Sequence, residues 1–495
     1  MRTGAEYLEA LRDGRKLWIM GEDRVEDVTT HPATAAMAAE YAAWYDRLGD
    51  PEWRDVLLAP PDAAGNRVPW AYTVPKSAGD VRAIGRAIGR TTFLSAGNIT
   101  HTPCYGHLIA MGVVTAIESG GGPAEAVGHA LAYRDRIAGT GRFLTFCGGA
   151  PVIGQRLKPD PRDRVALKRV RESDAGMVVR GRIGMHTSPA WAEDVYVGHL
   201  TGLEIDGRPV GFIMPVNAPG ATTLCRRRAA RDANPFLSRL SSRYDELDGQ
   251  MWLEDVFVPW EMVFPVDSAP EAIPRWLRWH HLYNWLAKAE FTLGLALALA
   301  DAMGLKAHEP TVEYLVDIVA EVQTVRSCIA AAELDPEFTR SGWCVPNHAH
   351  LAAGGIALFK ARQRISETLR IIPGSSLVVA PSDTDLAAPA LAEGLEDNFG
   401  GGGYTALQRA ALLQMAWDHV SSGLEGRESA FELHASGGMP GWRAWLRRSF
   451  GDYNRLANAV LKQLSVDMPE IDLTSVKEAA VAARRMPVMP PPEKP

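Results

Sequence analysis

A chain of 495 residues with 46% apolar and 22% charged side chains has the composition of a globular protein of two or three domains, which excludes collagen-like, mucin-like and wholly disordered chains. The formal charge of −7, from 52 Lys and Arg against 59 Asp and Glu, gives no global attraction to nucleic acid or anionic lipid, so neither is expected as a partner. The five cysteines, Cys104, Cys147, Cys225, Cys328 and Cys344, are odd in number and form no Cys-x-x-Cys pair. Neither a disulfide scaffold nor a zinc site fits them, no metal is expected, and a reducing cytoplasm is the expected location.

The opening stretch MRTGAEYLEALRDGRKLW carries charge every few residues and lacks an apolar core, so it does not read as a signal peptide. Residues 1–140 read as an α-helical domain: Tyr7, Leu8 and Leu11 share a face, Ala35 to Leu48 is alanine-rich, and Val81 to Phe93 repeats apolar residues at helical spacing. A short alternating piece from Lys16 to Met20 reads as a hairpin strand packed beside the next domain. Residues 141–275 change to short β-rich runs, at 176–181, 195–200, 209–215 and 251–258, without intervening helices. That pattern predicts an antiparallel sandwich or barrel, taken here as a β-barrel middle domain. Residues 276–485 return to helical period in five long segments, Trp279 to Met303, Thr311 to Glu333, His348 to Ile371, Thr405 to Leu433 and Trp442 to Leu464, which make a C-terminal bundle. The fold class is therefore α+β. The most lipid-like stretch, Leu293 to Leu305, contains Asp301 and stops at Lys306, well short of the ~20 apolar residues of a membrane span. Proline-rich residues 486–495 read as a disordered tail.

Most conspicuous motifs have a plain structural reading. Gly120 to Gly122 and Gly400 to Gly403 do not follow strands, so they read as loops rather than Rossmann or P-loop cradles. His348 and His350 do not share a helix face and read as a solvated helix start. His280 and His281 stand among Trp276, Trp279, Tyr283 and Trp285, an apolar wall that holds an imidazole neutral, whether as a core histidine bonded to backbone or as a site residue. In His101-Thr-Pro-Cys-Tyr105, proline starts a helix near Pro103 and leaves His101 and Tyr105 at its edge, either as ligand-facing groups or with His101 as the cap. Cys104 reads as a small core residue. The cluster Arg226, Arg227, Arg228 and Arg231 reads as a solvated turn or subunit contact before it reads as an anion site.

Taken together, several segments resemble the oxygenase component of the 4-hydroxyphenylacetate 3-hydroxylase family, two-component flavin monooxygenases with an acyl-CoA-dehydrogenase-like fold. They are RTGAEYLEALRDGR from Arg2, VEDVTTHP from Val25, PVNAPG from Pro215, LSSRYDELD from Leu240, EDVFVPWE from Glu254 and MAWDH from Met415, leading to Gly426-Arg-Glu428. The resemblance implies that FADH2 from a separate flavin reductase reacts with O2 to give a flavin C4a-hydroperoxide. Its distal oxygen passes to an aromatic ring, typically ortho to a phenol hydroxyl. Such a site must exclude water and favour the phenolate.

By position, the family's Arg-x-Pro-x-Tyr segment falls on His101 to Tyr105, so histidine replaces arginine beside the retained Tyr105. A substrate-facing histidine becomes Phe146, and the Asn-Pro-Gln flavin loop becomes Ala150, Pro151 and Val152. Thr187 matches the threonine near the flavin ring. Gly374, Ser375 and Ser376 match the loop that reaches a neighbouring subunit's FAD, which implies a homodimer or homotetramer. Gly437 matches the aromatic-glycine turn, with His434 in place of an aromatic residue and expected to face the pocket. His281 is the expected base for the phenol, and His280 is its one-residue alternative. These changes imply a natural-product or carrier-bound aromatic rather than free 4-hydroxyphenylacetate. An acyl-CoA dehydrogenase or dehydratase-like flavoenzyme and a non-catalytic flavin-binding scaffold are the competing readings. The radical dehydratase lacks support, because no second cysteine lies near Cys104 and none lies between Cys225 and Cys328.

Overall fold

The computed structural model describes the chain except residues 23, 64, 150–163, 199–202, 231–233, 267–271, 465 and 477–495; the expected tail therefore lies outside the described residues. The N-terminal part is helical, with Gly4–Ala10, Ala35–Asp46, Ala78–Thr92, Pro103–Ser119 and Ala124–Thr140. The first of these starts on a reciprocal cap, in which the Thr3 hydroxyl and the Glu6 carboxylate each satisfy a free N–H of the other end. The Pro103 helix has proline in its first turn and Thr102 as cap, whose hydroxyl accepts the Tyr105 N–H at 3.3 Å. Every residue from Pro103 to Ile117 is buried, because this helix runs between the sheet and the bundle. Two glycines permit that passage. A β-carbon at Gly106 would stand 2.4 Å from the Leu144 carbonyl oxygen, and one at Gly112 would stand 2.8 Å from the Ile273 α-carbon.

The expected strands are present within one eleven-stranded sheet, but it is open among the described residues rather than a closed antiparallel barrel. Its order is Val263–Pro265, Arg208–Pro215, Asp194–Val197, Leu144–Gly148, Gly176–Thr187, Asp248–Pro259, Ala221–Cys225, Leu17–Ile19 and Arg24–Val25. Lys168–Ser173 pairs with Gly176–Thr187 and Glu204–Ile205 with Arg208–Pro215, both off this path. Two neighbouring pairs are parallel, Leu144–Gly148 with Asp194–Val197 and Leu17–Ile19 with residues 223–225. Parallel neighbours need long crossovers, which a pattern of consecutive strands does not disclose. The short strand foreseen at Lys16 to Met20 pairs with Arg24–Val25 and stitches onto the middle sheet. Buried Arg15 reinforces the seam by donating to the carbonyls of Ala190 and Ala192, each at 2.8 Å.

In the bundle, Ala272–Ala302, Glu309–Leu334 and His348–Ile371 match the expected helices. The other two are interrupted. Ala406–Val420 gives way to Gly423–His434, because the Ser422 hydroxyl accepts the Leu424 N–H and starts a new helix. Gly438–Ser449 and Tyr453–Leu461 are likewise separate. The N-terminal helices and the bundle share one hydrophobic core running from Tyr7 through Trp276 to Trp445, whereas the sheet encloses a second around Met177, Phe212 and Leu253.

His348 does begin its helix but is buried rather than solvated. Its ring stands 3.6 Å from the Trp445 ring, and burial with the charge of Arg278 pushes it down to about 2. No helix among the described residues is long and apolar enough to cross a membrane.

Candidate active site

The deepest concentration of titratable side chains lies where three pieces of chain meet: the turn before the Pro103 helix, the first third of the Ala272–Ala302 helix, and the loop entering strand Asp248–Pro259. Glu246 is its hub. Fully buried, it accepts the N–H groups of Thr100 at 3.0 Å and His101 at 2.8 Å, the Ser188 hydroxyl at 2.7 Å, and the Thr100 hydroxyl in a short contact. Ser188 reaches it from a left-handed backbone, φ 58°, at the end of strand Gly176–Thr187, a conformation a non-glycine residue holds only when its surroundings fix it.

Glu246 also faces His101 Nδ1 at 3.6 Å and the Arg427 guanidinium at 3.6 Å. Burial alone would raise its carboxyl. The hydrogen bonds of His101 and Thr100, with the charge of Arg427, outweigh burial and hold it well below the usual range. Arg427 is itself shared with Asp248, through two contacts of 2.8 Å, and with Glu428, and it lies 4.8 Å over the Phe431 ring.

Against this charged base sits a cluster of rings. Tyr105 has its centroid 4.2 Å from His101 and 5.3 Å from each of His280 and His281. His280 Nε2 is 3.0 Å from the Thr102 hydroxyl, and His281 lies parallel to Trp285 at 6.3 Å and edge-on to Phe431 at 6.4 Å. Burial above all pushes His280 down to about 3 and His281 well below its ordinary value. Burial raises the Tyr105 phenol above its usual range. One turn beyond His281, a small half-open pocket of about 40 Å³ is lined by Trp285, Lys288, Phe359, Arg362 and Glu432 among others. There Lys288 binds Glu425 at 2.9 Å and Glu432 at 3.1 Å.

The structure thus gathers His101, Tyr105, His280 and His281. Thr102, not His101, caps the helix, which removes the capping reading of His101. Cys104 is buried, and burial pushes its thiol up to about 12, as a core residue requires. Thr187 is buried beside Ser188 at the strand end, and Phe146 is half-buried with its ring 5.9 Å from Tyr196. Gly437 occupies a left-handed turn, φ 86°, ahead of the Gly438 helix. His434 does not face the pocket. It is exposed at the helix end, its Nδ1 2.8 Å from the Ala430 carbonyl, because the break after residue 434 turns it outward. Gly374, Ser375 and Ser376 form an exposed to half-buried helical turn against the Ala406–Val420 helix, apart from this cluster. Ala150, Pro151 and Val152 lie outside the described residues, as does Arg231. Arg226 is paired with Asp245 and with Asp248, so that part of the arginine cluster is an internal ion pair.

Glu246, Ser188, Arg427 and Asp248 are absent from the sequence-derived site. Glu246, Asp248 and Arg427 lie in family-like motifs, yet a buried carboxylate and a solvated one look identical in sequence. The boundary between sheet and bundle also carries buried polar atoms without a hydrogen-bond partner among the described residues: His186 Nδ1, Trp285 Nε1 and Glu428 Oε2. Such atoms are costly unless a polar ligand completes them, and a flavin with its ring nitrogens, carbonyls and ribityl hydroxyls is of the right chemistry.

The open sheet and the helical bundle meet at this buried, histidine-rich cluster, and together they make a mixed α/β fold. The crystal structure of the oxygenase component of 4-hydroxyphenylacetate 3-monooxygenase complexed with FAD matches 94% of this chain and 99% of its own, with a TM-score of 0.85 and 27% identity. The chain belongs to the 4-hydroxyphenylacetate 3-hydroxylase family: residues 3–265 match the N-terminal family profile and residues 275–462 the C-terminal one. The 4-hydroxyphenylacetate 3-monooxygenase oxygenase component of Thermus thermophilus is 31% identical over 446 residues, 87% of this chain and 91% of the relative. A Streptomyces globisporus monooxygenase, named for a (3S)-3-amino-3-(3-chloro-4-hydroxyphenyl)propanoyl group on the peptidyl-carrier protein SgcC2, is 29% identical over 452 residues, 88% of this chain and 85% of the relative.

Proposed function

We propose that this chain hydroxylates a phenol ortho to its hydroxyl group, on a natural-product or carrier-bound ring rather than on free 4-hydroxyphenylacetate. It is the oxygenase component of a two-component monooxygenase that uses FADH2 and O2, with a separate reductase as the source of reduced flavin. Bound FADH2 would supply oxygen activation, as the C4a-hydroperoxide that the family implies. The remaining work falls to the residues described above.

The observation that carries the substrate reading is His101. By the family resemblance it takes the place of an arginine, and it is joined by Tyr105, His280 and His281 in a cluster with almost no access to water. An arginine offers a fixed charge and a two-pronged fork to a phenolate, whereas imidazoles and a tyrosine offer single, directional contacts and can exchange a proton. His281, neutral and stacked along Trp285, would wall the phenol ring, and it or His101 would take the phenol proton. Thr187, Gly374, Ser375, Ser376 and Gly437, with Ala150, Pro151 and Val152, are assigned to FAD by their positions in the family. The serine loop would serve the flavin of a second copy in a homodimer or homotetramer. The carrier-linked phenol named for the Streptomyces relative supports a substrate larger than 4-hydroxyphenylacetate.

The test is turnover of the purified chain with a flavin reductase, NADH, FAD and a panel of phenols. The panel is 4-hydroxyphenylacetate, tyrosine, 3-chlorotyrosine and a tyrosyl group tethered to a carrier protein. Products one oxygen atom heavier, formed with least peroxide from the larger phenols, are expected. Best coupling on free 4-hydroxyphenylacetate would overturn the substrate assignment. Flavin binding with only peroxide released from every phenol would establish the scaffold reading instead.

A further inference from the structure

We propose that Glu246 and Thr100 are positioning residues that hold His101 as its Nδ1–H tautomer, so that Nε2 is the atom that takes the proton from a bound phenol. The inference rests on the hydroxylase reading but is carried by hydrogen-bond accounting around one hydroxyl. The Thr100 hydroxyl lies in short contact with Glu246 and 2.9 Å from His101 Nδ1. Glu246 meets N–H or O–H donors from Thr100, His101 and Ser188, so it is an acceptor and contributes no proton. A threonine hydroxyl has a single hydrogen. With that hydrogen on Glu246, the oxygen only accepts from the imidazole, and the hydrogen between Thr100 and His101 must belong to Nδ1. Neutral His101 therefore keeps Nε2, on the other edge of the ring, as a bare acceptor.

The surrounding charges suit the step that follows. When a phenol gives up its proton, its O–H bond breaks, an Nε2–H bond forms, and the electron pair stays on oxygen as phenolate. The imidazolium so produced has Glu246 at 3.6 Å as counter-ion. Its other neighbours are Tyr105 and the rings of His280, His281 and His186, all three histidines held neutral by burial. Arg427 is the opposing cation, but Asp248 and Glu428 take up its charge. An arginine in this position would need no such relay, since its charge is permanent. The carboxylate, hydroxyl and imidazole thus give a histidine what the substitution of arginine removed.

Nitrogen-15 NMR of the full chain, labelled at histidine and free of phenol, reads the tautomer directly, with His101→Gln to assign the signal. The expected neutral form is Nδ1–H in the parent and in Thr100→Ser, and a mixture of tautomers in Thr100→Val, which keeps the side-chain volume without the hydroxyl. An Nε2–H tautomer in the parent would overturn the proposal. The second readout is 4-nitrophenol, whose anion is coloured. The parent and Thr100→Ser should bind it ionised at a pH where the free phenol is mostly neutral, whereas Thr100→Val and Glu246→Gln should lower the ionised fraction at least tenfold. An unchanged ionised fraction in Thr100→Val would sink the relay. Failure of every phenol to bind, with the Nδ1–H tautomer intact, would count against the hydroxylase reading and leave the relay standing.

Discussion

His101 and His281 differ in what stands behind them, and that difference predicts how their variants fail. His281 is backed by apolar rings, so in the proposed site it would serve as a neutral wall. His281→Ala should lower product formation by letting water reach the site, while oxygen consumption continues and appears as peroxide. Equal product yield in the variant would reject its role. Tyr105, His280 and His281 were legible because aromatic surroundings and a proline-started helix leave marks in sequence. Glu246 was not, since its meaning lies in donors that come from residues 100, 101 and 188. His434 misled for a related reason: its motif position is family-like, but the break that follows it turns the ring to solvent.

At the scale of elements, the helix that presents Tyr105 owes its place to close backbone approach. Because a β-carbon at Gly106 would overlap the Leu144 carbonyl, Gly106→Ala should push helix and strand apart. The expected cost is about 1–3 kcal/mol, as for overpacked cores, with looser coupling of oxygen to product. A crystal structure or urea titration indistinguishable from the parent would refute this. The sequence periods disclosed nearly every long helix and every long strand, because both depend on local spacing. They did not disclose that the sheet stays open or that two of its pairs are parallel, since those are decisions between distant segments. The merged helix at 405–433 shows the same limit: one serine cap outweighs an apolar period that runs on through it.

For the molecule as a whole, acid should be the sharpest stress. Six buried histidines, His107, His186, His280, His281, His348 and His419, are depressed by burial, five of them to about 2 or 3. A depressed histidine contributes stability above its unfolded value near 6.5 and loses it as pH falls below that, because only the unfolded chain takes the proton. Glu333 and Glu428, raised by burial to about 7, act oppositely, binding protons in the folded state between pH 7 and 4.5. At about 1.4 kcal/mol per proton and pH unit, the net loss between pH 7.5 and 5.5 is about 4 kcal/mol, a large share of ordinary domain stability. Urea unfolding should show its midpoint falling steeply over that window; a flat midpoint would mean these histidines titrate in the folded chain.

The strand at Leu17–Ile19 has a further consequence for how the protein comes into being. Its hydrogen-bonding partner on the middle sheet begins at Thr223, so some two hundred residues must leave the ribosome before the first-made segment finds its seat. At roughly 5–20 residues per second that delay is on the order of 10 to 40 seconds. During that interval the strand has only its hairpin neighbour Arg24–Val25 to pair with, and its other side waits for a segment made far later.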